Sequence, residues 1–473
     1  MTAASSAVRS RASARPNRTP SPRRQYLAVA TLFALDGAIF GTWAARVPDV
    51  ADRVGATHAA LGTALFCVSL GALVSMRLTG TWCARFGAGR VGGIAGALVA
   101  LSLVPPGFCT SFGALCVALT VFGAATGAAN VAANSLGVGL GRQQHRPVMS
   151  ALHALFSFGG LTGALLGGLA STFLPVPTHF ALIATAAAAL ALAIRPTLRA
   201  LDFIPDAPRP SPEVHEGRGP VVLVVLLGAV AGSTAFAEGA LSDWGALHLR
   251  ETLHATPGVA AAGYAAFCLA MGCGRLAGAR WVIRFGDTRV LVAGSVAAAI
   301  GATGAAHAAN QLVAIGGFVL VGVGLANVFP LVIGRAGLVG GPRAVGLAST
   351  VGYSGLLGGP PVVGFLAAHA GLPAALSTIT ALALVAAVLS VVVAVELPDA
   401  TTVATALRSR ARAGATLTAD RLGAAVGDLS LLLDASDRAL TTDQSRPRPV
   451  RPAGAAGGAP EVRAYPGLEF LVR

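Results

Sequence analysis

The sequence predicts an all-α membrane protein: twelve transmembrane helices in two parallel-repeat six-helix bundles. Three observations predict it. The first is composition. The 473 residues are 54% hydrophobic and only 11% charged, with a mean hydropathy of +0.71, whereas soluble domains carry about 25% charged residues. The second is length. Apolar runs of about 20 residues recur along the chain, enough to cross about 30 Å of hydrocarbon as helix. Alternating strands of ~10 residues do not occur, which excludes a membrane β-barrel. The third is an internal repeat. Arg85-Phe86-Gly87 with Arg90-Val91 returns 199 residues later as Arg284-Phe285-Gly286 with Arg289-Val290. Gly127 with Ala129-Asn130-Val131 returns as Gly324 with Ala326-Asn327-Val328, and Phe66-Cys67 with Gly71 as Phe267-Cys268 with Gly272. Asp36-Gly37 before Trp43 returns as Glu238-Gly239 before Trp244. A near-constant offset means that one bundle was duplicated in parallel orientation, with a binding site expected between the copies at mid-depth.

Polar residues, Gly and Pro bound the apolar runs and predict helices over 26–47, 60–82, 90–107, 112–138, 149–173, 178–195, 220–247, 257–281, 288–307, 311–334, 344–370 and 373–396. The abundant small residues, 60 of them Gly, suit close packing of membrane helices. The segment 196–219 holds five Pro and mixed charges, and reads as the link between halves. The domains are therefore a disordered cytoplasmic tail (1–25), an N-terminal bundle (26–196), a cytoplasmic linker (197–219), a C-terminal bundle (220–397) and a second cytoplasmic tail (398–473). In that tail, 402–440 reads as amphipathic helix on the membrane surface.

Arginine fixes the expected orientation. Thirteen (85, 90, 142, 146, 195, 199, 209, 218, 280, 284, 289, 335 and 343) fall in loops on one side, against Arg46, Arg53 and Arg250 on the other. The positive-inside rule puts both termini in the cytoplasm of a bacterium, in a multi-pass inner-membrane protein. Trp43 and Trp244 then fall near outer helix ends, Trp82 and Trp281 near inner ends. They read as an interfacial belt, with substrate stacking as the alternative for Trp43 and Trp244. The net charge of +14 sits mostly in the tails, where anionic lipid rather than nucleic acid is the expected partner. The N-terminal stretch is too polar for a signal peptide.

Twelve spans in two related halves, with a basic turn after the second helix of each, resemble the major facilitator superfamily. Its loop motif is roughly G-x-x-x-D-R-x-G-R-R. Gly80, Arg85, Gly87 and Arg90 match it, and Arg284, Gly286 and Arg289 repeat it in the second half. Ala84 replaces the acidic residue, and Ile283 stands at the equivalent place in the repeat. The resemblance implies that this acid closes a charge–helix contact on the inner face, which neither Ala84 nor Ile283 can make. Three stretches, LDGAIFGTWAARVPDV (35–50), RPVMSALHALFSFGGLTGALLGG (146–168) and AEGALSDWGALHLRE (237–251), resemble a poorly characterised group of bacterial inner-membrane permeases distantly similar to sugar–proton symporters. The Gly-Pro signature of drug antiporters is missing from helix five, as is the basic residue usual in helix four of many exporters.

An ionisable residue inside the bilayer costs several kcal/mol, so each needs a partner or a purpose. Asp36 and Glu238 occupy matching places in the first helix of each half, which in this architecture faces the cavity. Each is a proton-coupling candidate; the alternative is a salt bridge to an Arg such as Arg77 or Arg275. Asp243 reads as a gate contact with Arg46 or a substrate contact. Asn130 and Asn134 share one helical face with Thr126, and Asn327 is the repeat-mate of Asn130. Amides donate and accept as a polar solute requires; interhelical bonding is the competing use. His153, on one face with Ser157, is a candidate proton relay or a structural hydrogen-bonder. Gly358-Gly359-Pro360-Pro361 is expected to break helix eleven. The six Cys read as apolar fillers, and no metal or cofactor motif appears.

The reading is a secondary transporter, coupled to protons, that moves a small polar organic solute by alternating access. Its expected partners are that solute, protons and lipid, and it is expected to be a monomer. A drug or metabolite exporter of the same fold and a non-transporting membrane sensor are the alternatives. An enzyme is not expected, because no catalytic constellation is visible.

Overall fold

In the computed structural model the described residues are 20–145, 148–203 and 221–396. The disordered tail expected over 1–25 is shorter than that, since Pro22–Gln25 already begin the first helix; its residues 1–19, the tail after 396 with the amphipathic stretch at 402–440, and most of the linker lie outside the described residues.

Ten helices follow one another as α1 (Pro22–Val54), α2 (His58–Phe86), α3 (Ala88–Phe108), α4 (Phe112–Gln144), α5 (Met149–Ala170), α6 (Val176–Ala200), α7 (Val221–Glu251), α8 (Pro257–Phe285), α9 (Asp287–Ala306) and α10 (Gln311–Gly341). The last helical stretch, Ala344–Ala394, has 51 residues, and would run about 75 Å as one helix. It does not, because Gly371 leaves helical geometry (φ 82°, ψ 164°). The stretch is two spans, α11 over 344–370 and α12 over 372–394. All twelve expected spans are thus present among the described residues.

The two halves start and pair their helices alike. Thr57 caps α2 by accepting from the Ala60 amide, and Thr256 caps α8 by accepting from Val259. Ser111 caps α4 and Asn310 caps α10 in the same manner. Each hydroxyl or amide oxygen satisfies one amide that the first turn leaves open. In the first half α1 packs on α5, α2 on α4 and α3 on α6. In the second, α7 packs on α11 through Gly232 and Gly355, α8 on α10 through Gly274 and Val323, and α9 on α12 through Thr303–Thr380 and His307–Ser377. First with fifth, second with fourth, third with sixth: the pairing is duplicated with the sequence.

Small residues set how closely these helices approach. A Cβ on Gly37 would fall 1.9 Å from the carbonyl oxygen of Phe156, and one on Gly159 would fall 2.1 Å from that of Ala34. Gly41 and Gly163 extend the same seam, a small-xxx-small pattern on both partners.

Between the halves, α2 meets α11 where Gly62 lies against Pro360 and Gly364, and α5 meets α8 where Gly160 lies against Cys268 and Gly168 against Ala261. These two contacts are each other's counterparts under the repeat. Both lie in the part of the molecule nearer the α1–α2 and α7–α8 turns.

Two expectations change. The backbone stays helical through Gly358-Gly359-Pro360-Pro361; the departures in this stretch of chain are at Gly340, Gly341 and Gly371. Proline's fixed φ suits a helix, and what it removes is one donor; the Pro360 carbonyl faces Gly62 of α2. Trp43 and Trp244 form no interfacial belt, being 1% and 0% exposed. Trp43 packs between Phe122 and Phe180, with ring centroids 5.8 and 6.4 Å away, and Trp244 lies edge-on to His58. Both are core residues, and Trp43 is enclosed within its own half rather than set on a cavity wall. Trp82 is 46% exposed near the far end of α2.

Candidate functional site

The two halves share a chain of polar side chains. Arg275 of α8 is its centre. Its Nη1 donates to the Ser157 hydroxyl (2.8 Å) and the His153 carbonyl (3.3 Å) of α5, and its Nη2 reaches Glu238 of α7 at 3.5 Å. The Ser157 hydroxyl in turn donates to the His153 carbonyl. On the other side, the His153 Nε2 lies 3.1 Å from Oδ1 of Asn134 on α4. That oxygen only accepts, so Nε2 carries the proton. Asn134 then donates to Asn130 Oδ1 at 3.0 Å and to its carbonyl at 2.9 Å. Phe33 of α1 closes edge-on over the His153 ring.

Four separate expectations, Glu238, His153, Asn134 and Asn130, are therefore one connected unit. Helical spacing explains each local pair. Asn130 with Asn134, and His153 with Ser157, lie four residues apart and so on one face. The link from α4 to α5, and from α5 across to α8, is tertiary and has no local signal.

Asp36 stands apart from this unit. It lies midway along α1, is 5% exposed, and makes no hydrogen bond or ion pair among the described residues. Glu238, its repeat-mate, is half-open and paired with Arg275. Arg77, the other basic residue considered as a partner, is exposed and forms no ion pair among the described residues.

Asp243 is not paired with Arg46. Its carboxylate accepts weakly from Ser242 (3.4 Å), whereas Arg46 binds Asp49 one turn away on its own helix at 2.6 Å, and also the Leu174 carbonyl. Nor does Asn327 join the polar unit. Its amide donates to the Gly274 carbonyl at 3.0 Å, where α10 loses regular geometry at Ala326–Asn327. It ties α10 to α8.

A second cluster closes the α1–α2 end. Arg250 at the end of α7 binds Asp49 (2.7 Å) and Asp52 (3.2 Å) of α1, and His58 of α2 binds Glu251 (2.8 Å). Sequence reading missed these residues, although the signal exists. Asp49 and Arg250 are 201 residues apart, the offset of Trp43 from Trp244. They are repeat-mates of opposite charge, and mates that lie near a pseudo-two-fold axis meet across it.

The loop motif builds the same turn twice. Gly87 (φ 91°) and Gly286 (φ 82°) end α2 and α8 in a conformation that favours glycine, and Arg85 and Arg284 lie over the rings of Phe86 and Phe285. Gly80, Arg90 and Arg289 are exposed beside it. Other acids stand beside these turns. Asp202, just after α6, accepts from the amides of Gly89 (2.7 Å) and Arg90 (2.9 Å) at the start of α3. Its carboxylate leaves no room for a Cβ at Gly87. In the second half, Asp287 begins α9, accepts from the Thr288 amide and pairs with Arg335 at 2.8 Å. Each third helix thus has a carboxylate at its positive end.

The chain matches the family model described as the Major Facilitator Superfamily over residues 27–337 and 227–435. It is 34% identical over 347 residues to an uncharacterized MFS-type transporter of Yersinia pestis, covering 68% of this chain and 88% of that one. It is 34% identical over 315 residues to an uncharacterized transporter of Sinorhizobium fredii, covering 65% and 81%. The solved D-xylose–proton symporter superposes with a TM-score of 0.64 at 15% identity, covering 78% of this chain and 97% of that one. The repeated helix pairing, the basic turns and these matches agree: the protein is a transporter of the major facilitator superfamily.

Proposed function

We propose that this transporter is proton-coupled and moves a small polar organic solute by alternating access in a bacterial inner membrane, with both termini in the cytoplasm. The observation that carries the coupling is Asp36. A buried carboxylate with no cation and no donor at hand is costly when charged, and a proton removes that cost. A polar solute is supported by the line of Asn130, Asn134, His153, Ser157, Glu238 and Arg275, which offers amide, imidazole, hydroxyl and charged groups where the halves meet. The arginine asymmetry makes the α1–α2 end the outer one. On that reading the Asp49–Arg250 cluster closes the outer face.

The test starts with a thermal-shift screen of purified protein against sugars, polyols, amino acids and antibiotics, since a ligand of the folded state raises its melting temperature. Solutes that shift it are then offered to proteoliposomes with and without a proton gradient. Wild type should accumulate solute only with the gradient. Asp36→Asn should lose accumulation yet keep exchange, because the amide resembles a protonated carboxyl. Accumulation by Asp36→Asn at the wild-type level contradicts the assignment, and binding without accumulation points to a sensor.

A further inference from the structure

Two thiols of the first half face each other across a helix seam. α2 and α4 run in the same direction, and glycine brings them together. A Cβ on Gly71 would overlap the Thr120 carbonyl oxygen, and one on Gly123 would overlap that of Val68. Cys67 and Cys116 stand one turn before Gly71 and Thr120, on the same two helix faces. Their side chains are within hydrogen-bonding reach of each other. The Cys67 thiol donates to the Thr63 carbonyl at 3.4 Å, which leaves its sulfur to accept from Cys116. Both cysteines are half-buried, whereas Cys109 and Cys268 are buried. The tight seam matters, because a disulfide needs Cα atoms within about 7 Å and ordinary helix pairs lie about 8–10 Å apart. The repeat sharpens the contrast. Cys268, the mate of Cys67, faces Gly160 of the opposite half, and α10, which corresponds to α4, carries no cysteine.

We propose that Cys67 and Cys116 are a redox pair: they close to a disulfide that staples α2 to α4 inside the first half and leaves the two halves free to move. Two S–H bonds break and one S–S bond forms. The two protons and two electrons pass to a lipid-soluble quinone, which becomes the hydroquinone. The setting favours this product over a bound metal. A soft monovalent cation held by two thiolates leaves a net negative charge, which is costly in hydrocarbon, whereas a disulfide is neutral. Nor is there a third ligand: among the described residues no group of three His, Cys, Asp or Glu could hold a metal ion. α2 and α4 belong to one bundle and share a packed seam, so the bond crosses nothing that moves apart when the halves rock.

The experiment starts from the full chain with its six native cysteines, reduced, purified and placed in liposomes with a short-chain ubiquinone. Thiols that react with a maleimide after denaturation should fall from six to four, two being lost to one bond. Peptide mapping should find the link between Cys67 and Cys116, and dithiothreitol should restore all six. Cys67→Ser and Cys116→Ser should each keep every thiol they have. The oxidised protein should melt several degrees higher, since the cross-link restricts the unfolded chain, and Cys67→Ser should show no such rise. Opening of the α1–α2 end is read in a chain that keeps only this pair of native cysteines and carries Ala261→Cys, because Ala261 is fully buried against Gly168 where α5 meets α8. The rate at which a soluble thiol reagent labels it, in detergent, should be the same before and after oxidation. If six thiols survive under conditions that oxidise a lipid-soluble dithiol, or if the link lies elsewhere in the chain or between chains, the proposal is overturned. A labelling rate that falls on oxidation overturns the claim that the bond leaves the halves free.

Discussion

Asp36 and Glu238 are mates in the repeat, and their surroundings have made them different. Asp36 is buried without a partner; Glu238 is half-open and tied to Arg275. Their sequence context, an acid before a glycine in an apolar helix, marked both as functional candidates but did not separate them. The difference arises from Arg275, which lies 37 residues from Glu238 in the chain. Asn130 and Asn327 diverge in the same manner. Asn130 accepts from Asn134 within the polar chain, whereas Asn327 donates to the Gly274 carbonyl of α8. We therefore expect Asn327→Ala to lower stability by about 0.6 kcal/mol, the average for an interhelical hydrogen bond in a membrane, and to leave solute affinity unchanged. Asn134→Ala, which cuts the chain between His153 and Asn130, should weaken solute binding several-fold. Unfolding in mixed micelles and binding titrations check the pair. A large affinity loss in Asn327→Ala would return that residue to the binding site.

At the scale of the elements, the sequence showed where helices lie far better than how they end and meet. Length and hydropathy located every span, because a bilayer demands about 20 apolar residues whatever the packing. The long run after Gly341 divides at Gly371, between the spans expected over 344–370 and 373–396, and the proline pair inside the first of them keeps helical dihedrals. The reason is local, since proline fits helical dihedrals and an αL-like φ does not. Contacts between elements were less legible. The glycine seam of α1 and α5 makes a sharp prediction. Gly159→Val places branched carbons against the Ala34 carbonyl, and overpacking of this kind costs about 1–3 kcal/mol. A thermal melt should show the loss, while Gly113→Val, where nothing lies within 4 Å, should not. The closing cluster makes another. Arg250→Gln removes the bonds to Asp49 and Asp52, and should raise labelling of Ala261→Cys several-fold. An unchanged rate would mean that packing alone holds that end shut.

For the molecule as a whole, the duplication was the most informative feature of the sequence, and it reappears as matched caps, matched helix pairs and matched turns. Its one under-used consequence was the axis itself. Residues at the same offset meet when they lie near it, and Asp49 with Arg250 could have been found that way. The proposed orientation rests on the arginine count. Ser111 and Gly141 lie at opposite ends of α4. Single cysteines there should divide, Ser111→Cys reacting with an impermeant reagent outside the cell and Gly141→Cys staying silent; the reverse would invert the topology. The central claim is that solute and proton cross together. It is tested most directly by adding a solute found in the thermal-shift screen to proteoliposomes in weakly buffered medium, with no gradient imposed, while the external pH is recorded. The claim predicts that the medium turns alkaline as solute enters, and that Asp36→Asn gives no such change. Solute entry with no movement of protons in the wild type would contradict it.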